Sequence, residues 1–326
     1  MLLEIRHLTQ YRYAEPVRES VMELWMQPQK TARQRLISFE LQIDPKAHHF
    51  SYADIFGNAV YHFDVPHPHD LLTIRSQAAV ETTAPKPLPT ALDLGEWDRL
   101  NSDFIKGDCF DFLRPHGFAV PTERLLAFMA EHDLEDLRRG DPLTAILKVC
   151  ETIYKAFAYL PGVTEADSPI DLALEARSGV CQDFAHIMIT ICRMWGIPAR
   201  YVSGYLFTDR SHATDRSAPD ATHAWVEVFL PSLRWIGLDP TNNLWAGERH
   251  VSVAIGRDYN DVPPSRGVYK GDSDSELLVA VSIGRAKQVL IDPELIRGAR
   301  PKVDTRRAAP DAAYREYQQQ QQQQQQ

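Results

Sequence analysis

The sequence predicts an α+β protein: an antiparallel β domain over residues 1–83, a proline-rich linker over 84–96, a mixed α+β core over 97–300 and a disordered tail over 301–326. Three observations lead there. Up to about residue 83 the apolar residues alternate with period two, as in half-buried strands. From about residue 97 the period becomes helical. Alternation returns between 199 and 239, after the helices.

In the first region Leu3, Ile5, His7, Thr9, Tyr11 and Tyr13 fall on one face of a strand. Ile37, Phe39 and Leu41 alternate with Leu36, Ser38 and Glu40 in another. Val60 to Val65 and Leu72 to Arg75 continue the pattern, and Asp54-Ile55-Phe56-Gly57-Asn58 carries a turn signal between runs. Ala84-Pro85-Lys86-Pro87-Leu88-Pro89 reads as a stiff linker. Beyond it, Leu143, Ile146, Leu147, Cys150, Ile153 and Tyr154 mark a helix. Ser168-Pro169 reads as an N-cap followed by proline at the first helical position, opening a short helix to Ala176. A helix starting at Cys181 comes next. Strands follow near 199–207, 222–230 and 233–239, with a late one over 276–283. The chain ends in nine glutamines, Gln318 to Gln326.

The chain has 326 residues, 44% of them apolar, which suffices for a sizeable core and more than one domain. A net charge of −9 argues against a nucleic-acid binder. The basic residues Arg297, Arg300, Lys302, Arg306 and Arg307 read as a solvated segment. None of the four cysteines stands in a C-x-x-C pair, and His62, His67 and His69 lie among prolines as surface histidines, so no metal or other cofactor is expected. The start, Met-Leu-Leu-Glu-Ile-Arg-His, lacks a signal-peptide pattern, and no run reaches the roughly 18 apolar residues of a membrane helix. These features lead to the expectation of a cytoplasmic protein with reduced thiols and no membrane partner.

Among the cysteines, Cys181 stands apart. Phe184, Ile187, Met188, Ile191, Cys192 and Trp195 form one apolar helical stripe, with His186, Thr190 and Arg193 off it. Cys181 extends that stripe at the helix start. There, free N–H groups and the positive end of the helix dipole favour a thiolate and offer donors to an oxyanion. Gly179 permits close backbone approach or a positive φ. Cys150 and Cys192, on apolar stripes, read as core.

The partners come from the strands. His223, Trp225, Glu227 and Phe229 share one face of 222–230; Leu233, Trp235, Gly237 and Asp239 share one face of the next strand. A three-residue turn Leu230-Pro231-Ser232 would set Phe229 opposite Leu233, and hence His223 directly opposite Asp239. An even-length loop would put Asp239 beside Ala224 instead. Cys181, His223 and Asp239 thus read as nucleophile, base and the group that orients the base.

Gly179-Val180-Cys181-Gln182-Asp183-Phe184-Ala185-His186, Gly196 to Tyr205, Thr222-His223-Ala224-Trp225-Val226-Glu227 and Leu238-Asp239-Pro240-Thr241 together resemble the bacterial transglutaminase-like superfamily. Residues 1–83 look like the β domain of this branch, and Gly256 to Tyr259, Asp261 to Pro264 and Arg266-Gly267 like its continuation. The resemblance implies a papain-like, transglutaminase-like α+β core with a triad at Cys181, His223 and Asp239. Members of the branch are commonly regarded as cysteine peptidases. Family association also suggests a pathway link to ATP-grasp-type and proteasome-like proteins. Animal transglutaminases place a tryptophan upstream of the cysteine to help hold the oxyanion, and no tryptophan lies between Trp97 and Trp195 here. Tyr159 is the candidate donor instead, with Gln182 and Trp225 as further oxyanion or substrate residues. The expected activity is a cysteine amide hydrolase, peptidase or deamidase, acting on a peptide or protein. Acyl transfer from glutamine to an amine and a non-catalytic peptide-binding module are the alternatives. The glutamine tail reads as low-complexity sequence, with self-substrate as the second reading.

Overall fold

The computed structural model describes residues 1–286 apart from 166, 209–214 and 218–220. The basic run at 297–307, the tail and the polyglutamine stretch lie outside the described residues.

Six strands open the chain: β1 (Leu2–Val17), β2 (Ser20–Leu24), β3 (Gln34–Asp44), β4 (His49–Ala53), β5 (Ala59–Val65) and β6 (His69–Thr82). Helices α1 (Glu96–Leu100), α2 (Asp103–Asp108), α3 (Glu123–Glu131) and α4 (Pro142–Ala156) follow. Then come β7 (Ala158–Tyr159), α5 (Ile170–Ala176), β8 (Ser178–Gly179) and α6 (Cys181–Met194). The last stretch holds β9 (Ala199–Leu206), β10 (Thr222–Leu230), β11 (Arg234–Asp239), β12 (Leu244–Trp245), β13 (His250–Gly256), β14 (Ser265–Tyr269) and β15 (Ser275–Arg285).

Two four-stranded sheets, ordered β15-β1-β6-β3 and β14-β2-β5-β4, form the β region. The predicted face of β1 is buried at Leu3, Ile5, His7, Thr9 and Tyr13. Its two halves do different jobs. Tyr13 and Val17 pack with Leu24, Phe63 and Leu72 between the two sheets. Leu3 and Ile5 join the large core that contains α4, α6 and β9 to β11. The Asp54–Asn58 turn closes as expected, with Asp54 Oδ1 accepting the N–H groups of Phe56 and Asn58, both at 2.9 Å.

Two expectations change here. The C-terminal strands assigned to the 97–300 core belong to the β region: β14 pairs with β2, and β15 runs along β1 from Leu3↔Arg285 to Tyr13↔Ser275. Local alternation identifies a strand and is silent about its neighbour. His69 is not a surface histidine. It is buried, with Nδ1 bonded to the His67 carbonyl at 2.8 Å and Nε2 to Ser20 Oγ at 2.9 Å.

The core sheet has the order β12-β11-β10-β9-β13. Among the described residues no sixth strand lies beside its outer strand β13, and the β region covers it with side-chain amides. Gln34 Nε2 donates to the Ser252 carbonyl at 2.7 Å and its Oε1 accepts the Ser252 N–H at 2.8 Å. Asn58 does the same for Ile255, at 2.7 and 2.8 Å. Each amide presents a donor and an acceptor to a strand edge that would otherwise be unsatisfied. Asp141 caps α4 by accepting the Thr144 N–H, with Pro142 as its first residue. At α5 the cap is Pro169, one residue later than the Ser168 read from sequence; Ser168 Oγ accepts the Glu165 N–H instead.

Helix α6 packs on β9 and β10. It is buried all round, not along one stripe: His186, Thr190 and Arg193 are as hidden as Phe184 and Ile187. Each polar member finds a partner inside. Thr190 Oγ1 donates to the His186 carbonyl at 2.7 Å. Arg193 donates to the carbonyls of Ala199, Arg114 and Arg257. His186 Nε2 accepts the Tyr259 N–H at 3.2 Å while its ring stacks on Tyr201. A central helix of an α+β core keeps polar residues on its far side only when other segments arrive to bond them.

Candidate active site

Cys181 is the first residue of α6 and is half-buried. The turn that delivers it is fixed from below by Asp183. That carboxylate accepts the Val180 N–H at 2.8 Å and the Thr164 hydroxyl at 2.6 Å. Burial raises the Asp183 pKa, and these two bonds act in the other direction. The sequence left two reasons for Gly179, and the structure selects one. A Cβ there would lie 2.5 Å from Asp183 Oδ2, so glycine is required by close approach.

His223 is the second residue of β10, and Asp239 ends β11. The two strands pair as Val226↔Leu238 through Leu230↔Arg234. The turn is therefore Pro231-Ser232-Leu233, closed by Leu233 N–H to Leu230 O at 2.9 Å and by Arg234 at φ 63°. This corrects the predicted register by two positions. Extended outward, it sets Asp239 across from Trp225, diagonal to His223. Because both turns have an odd length, the face is unchanged, and a diagonal neighbour is within reach of a histidine. His223 Nε2 and Asp239 Oδ2 are 2.8 Å apart, and both residues are buried.

Asp239 is fully satisfied. Besides His223, its Oδ2 accepts Asn242 Nδ2 at 2.8 Å and faces His250 Nε2 at 3.2 Å. Its Oδ1 accepts the N–H groups of Thr241 and Asn242. Burial alone would raise the carboxyl; the His223 charge and the histidine hydrogen bonds outweigh it and hold it well below the usual range. For His223 burial works to lower the pKa, but the Asp239 charge and bond, together with a side-chain hydrogen bond and charge from Cys181, raise it. The ring is thus coupled to both Cys181 and Asp239: Nε2 is committed to Asp239, and Nδ1 has Ser217 Oγ at 3.4 Å.

The remaining predicted residues divide. Tyr159 is half-buried in β7, paired in parallel with Gly179, two residues before the nucleophile. Gln182 is the second residue of α6 and buried. Trp225 packs against the two histidines. Its ring stacks on His223 and meets His250 edge-on, and its Nε1 faces Gly237 of β11. A Cβ at Gly204 would lie 2.7 Å from the indole, so Gly204 leaves the room it needs. Trp225 is a wall behind the imidazole. Cys150 and Cys192 are buried, and burial raises both thiols, Cys192 to about 12, as expected of inert core cysteines.

His250, Asn242 and Ser217 went unnoticed in the sequence. His250 lies outside every strand the alternation identified, and Asn242 sits in a turn; three-dimensional contact alone gives them meaning. His223, Asp239 and His250 also present ligand-type atoms within 4.8 Å of one another. They already satisfy each other through hydrogen bonds. A second such group, His116, Asp258 and Asp261, is likewise bonded: Asp258 to His116 and the Phe118 and Asn260 N–H groups, Asp261 to Arg257.

The chain is similar to known proteins. The profile of the family described as the bacterial transglutaminase-like N-terminal region matches residues 3–81, and that of the transglutaminase-like superfamily matches residues 135–240. The chain belongs to the transglutaminase-like superfamily, in the bacterial branch that carries this N-terminal region. An uncharacterised Mycobacterium tuberculosis protein is 35% identical over 289 residues, spanning 86% of this chain and 91% of that one. A Mycobacterium leprae protein, also uncharacterised, is 31% identical over 283 residues, 87% of this chain and 98% of its own. The solved structure of a Cytophaga hutchinsonii protein, provisionally described as a cysteine protease, shares the fold: its TM-score is 0.65 at 19% identity, over 89% of this chain and 92% of that one. A protein-glutamine γ-glutamyltransferase of Pseudomonas aeruginosa is 37% identical over 92 residues, which is 27% of this chain and 14% of that protein.

Proposed function

We propose that this protein is a cysteine-dependent amide hydrolase acting on a peptide or protein. The observation that carries the reading is the placement of His223, bonded to Asp239 at 2.8 Å and electrostatically coupled to Cys181 at the start of α6. The Cys181 sulfur attacks the amide carbon and forms a C–S bond. The oxyanion meets N–H groups at the start of α6, with Tyr159 as the nearby side-chain donor. Collapse breaks the C–N bond, and the His223 imidazolium gives its proton to the leaving amine. Neutral His223 then takes a proton from water, whose oxygen attacks the thioester and returns Cys181. Asp239 holds the ring throughout and stabilises its charged form.

A second reading is transfer of the same acyl group to an amine. The match to the Pseudomonas aeruginosa γ-glutamyltransferase favours it over the 92 residues it covers. The two differ only in what reaches the thioester. Incubation with a peptide mixture, followed by mass spectrometry, separates backbone cleavage, a one-dalton deamidation and amine adducts. Cys181→Ala should lose the activity by at least about a thousandfold, since oxyanion stabilisation without a nucleophile retains little. A silent native protein against every peptide and amine, with Cys181 reacting no faster than Cys192 toward a thiol probe, would point to a binding module.

A further inference from the structure

Asp239 is flanked by two buried histidines, and of the two His223 is the one coupled to Cys181. His250 opens β13, which belongs to a different part of the sheet from the triad strands. Its Nδ1 accepts the Gly247 N–H at 3.2 Å. That contact fixes the tautomer, because an Nδ1 that accepts cannot also carry the proton in a neutral ring. The proton therefore sits on Nε2, pointed at Asp239 Oδ2 from 3.2 Å. The ring is held from the side by Trp225, edge-on at 5.1 Å between centroids. His250 is as buried as His223.

We infer that His250 is a positioning residue of the triad: as a neutral Nε2–H donor it fixes the Asp239 carboxylate in the orientation that His223 needs. This inference rests on the cysteine-hydrolase reading. It follows from acceptor geometry. Asp239 Oδ2 takes His223 on one side and Asn242 and His250 on others, so the carboxylate cannot rotate away from the catalytic ring without breaking two further bonds. Such an outer partner keeps a catalytic histidine in one tautomer and one plane. Burial keeps His250 itself neutral, its pKa lowered further by the nearby His223 and Arg249 charges against the pull of Asp239. The charged groups around the ring are Asp239 of β11, His223 of β10 and Arg249 beside it. Glu248, Arg285 and the N-terminal ammonium border the adjoining cavity of about 350 Å³.

The position also ties the triad to the β region. His250 forms part of the wall of a second cavity of about 350 Å³, together with Arg33, Gln34 and Thr82 from that region. Gln34 is the residue that pairs with Ser252 on the same strand as His250. The strand that carries the positioning residue is thus held by the β region.

The test is the rate of Cys181 alkylation by iodoacetamide between pH 5 and 8 in full-length protein, with His250→Phe, His250→Gln and His223→Ala compared. The expected result is about a tenfold loss of low-pH reactivity in His250→Phe, the size of one hydrogen bond to a charged group. His250→Gln, whose amide N–H can replace the donor, should recover most of it. If His250→Phe and the native protein give the same profile while His223→Ala loses reactivity, the positioning role is overturned and the triad stands. If His223→Ala also matches the native profile, the triad reading itself has failed. Nitrogen-15 ring shifts of the native protein give an answer independent of the variants' folding. An Nε2–H tautomer at His250 supports the inference; an Nδ1–H tautomer or a charged ring at pH 7 overturns it.

Discussion

His7 in the β region and His223 in the core are buried histidines that burial and their partners push in opposite directions. In the β region His7 is bonded through Nδ1 to Tyr205 Oη at 2.8 Å and meets only hydroxyl partners. Burial lowers its pKa to about 4, so it is a neutral hydrogen-bonding residue. In the core His223 is equally buried, yet its pKa is raised, because a carboxylate is bonded to it. His186 shows that the partner decides, not the region. It lies in the core without a carboxylate, and burial takes it down to about 3. Desolvation makes neutrality the default for a buried imidazole, and a bonded charge reverses it. His250 refines the rule: its carboxylate is shared with His223, and burial with the neighbouring positive charge keeps it lowered.

The largest test of this contrast is Asp239→Asn. An amide in place of the carboxylate removes the charge that raises His223 and presents an N–H where an acceptor is needed. Hydrolysis or transfer should fall on the order of 10²–10⁴-fold. Stability should fall by about 3–5 kcal/mol, because His223, His250 and two backbone N–H groups lose an ionised acceptor. Turnover and urea unfolding measure the two effects. A fully active variant would break the comparison.

The pH dependence of folding sharpens it. The folded-state pKa of His7 lies below the unfolded value of about 6.5, so the unfolded chain binds more protons between about pH 4 and 6.5, and acid weakens the fold. A drop from about 6.5 to about 4 corresponds to about 3 kcal/mol, lost progressively between those limits. His7→Gln should remove that part of the slope in urea unfolding at pH 4.5 against 7.5. The raised pKa of His223 has the opposite sign. Its stabilisation is fully present below the unfolded value and fades as pH rises through the folded one, so His223→Gln should flatten the alkaline limb.

A smaller effect is expected at the seam between the regions. Gln34→Leu leaves the part-buried Ser252 N–H without its partner and its carbonyl with only the Gln29 N–H, which should cost about 2 kcal/mol. Because His250 stands two residues before Ser252, Cys181 alkylation at low pH should slow as well. Loss of stability with unchanged alkylation would separate the seam from the site. At the bottom of the scale, Arg35→Gln breaks an exposed ion pair with Glu81 and should change stability by less than about 0.5 kcal/mol.

The legibility of this chain varied with the range of the interactions. The β1 face, the helix from Pro142 and the start of α6 at Cys181 were readable, because periodicity and capping are local. The relation of His223 to Asp239 was readable as to face, since an odd turn preserves it, and misread by two positions, since the exact turn depends on how Leu230 and Leu233 close it. The burial of the polar side of α6 was not readable from the stripe, because segments that bond His186 and Arg193 come from residues far along the chain.

Sequence by itself determined the order of elements and the residue types of the site: a sulfur at a helix start and a ring and an acid on the same face of consecutive strands. Those follow from backbone periods of 3.6 and 2 and from helix-end chemistry. Tertiary structure alone decided that β14 and β15 return to the first sheets, that Gln34 and Asn58 close the edge of β13, and that His250 and Asn242 meet Asp239. The physical reason is that such contacts depend on which surfaces bury each other and on which polar groups must then find partners, and neither has a fixed spacing along the chain.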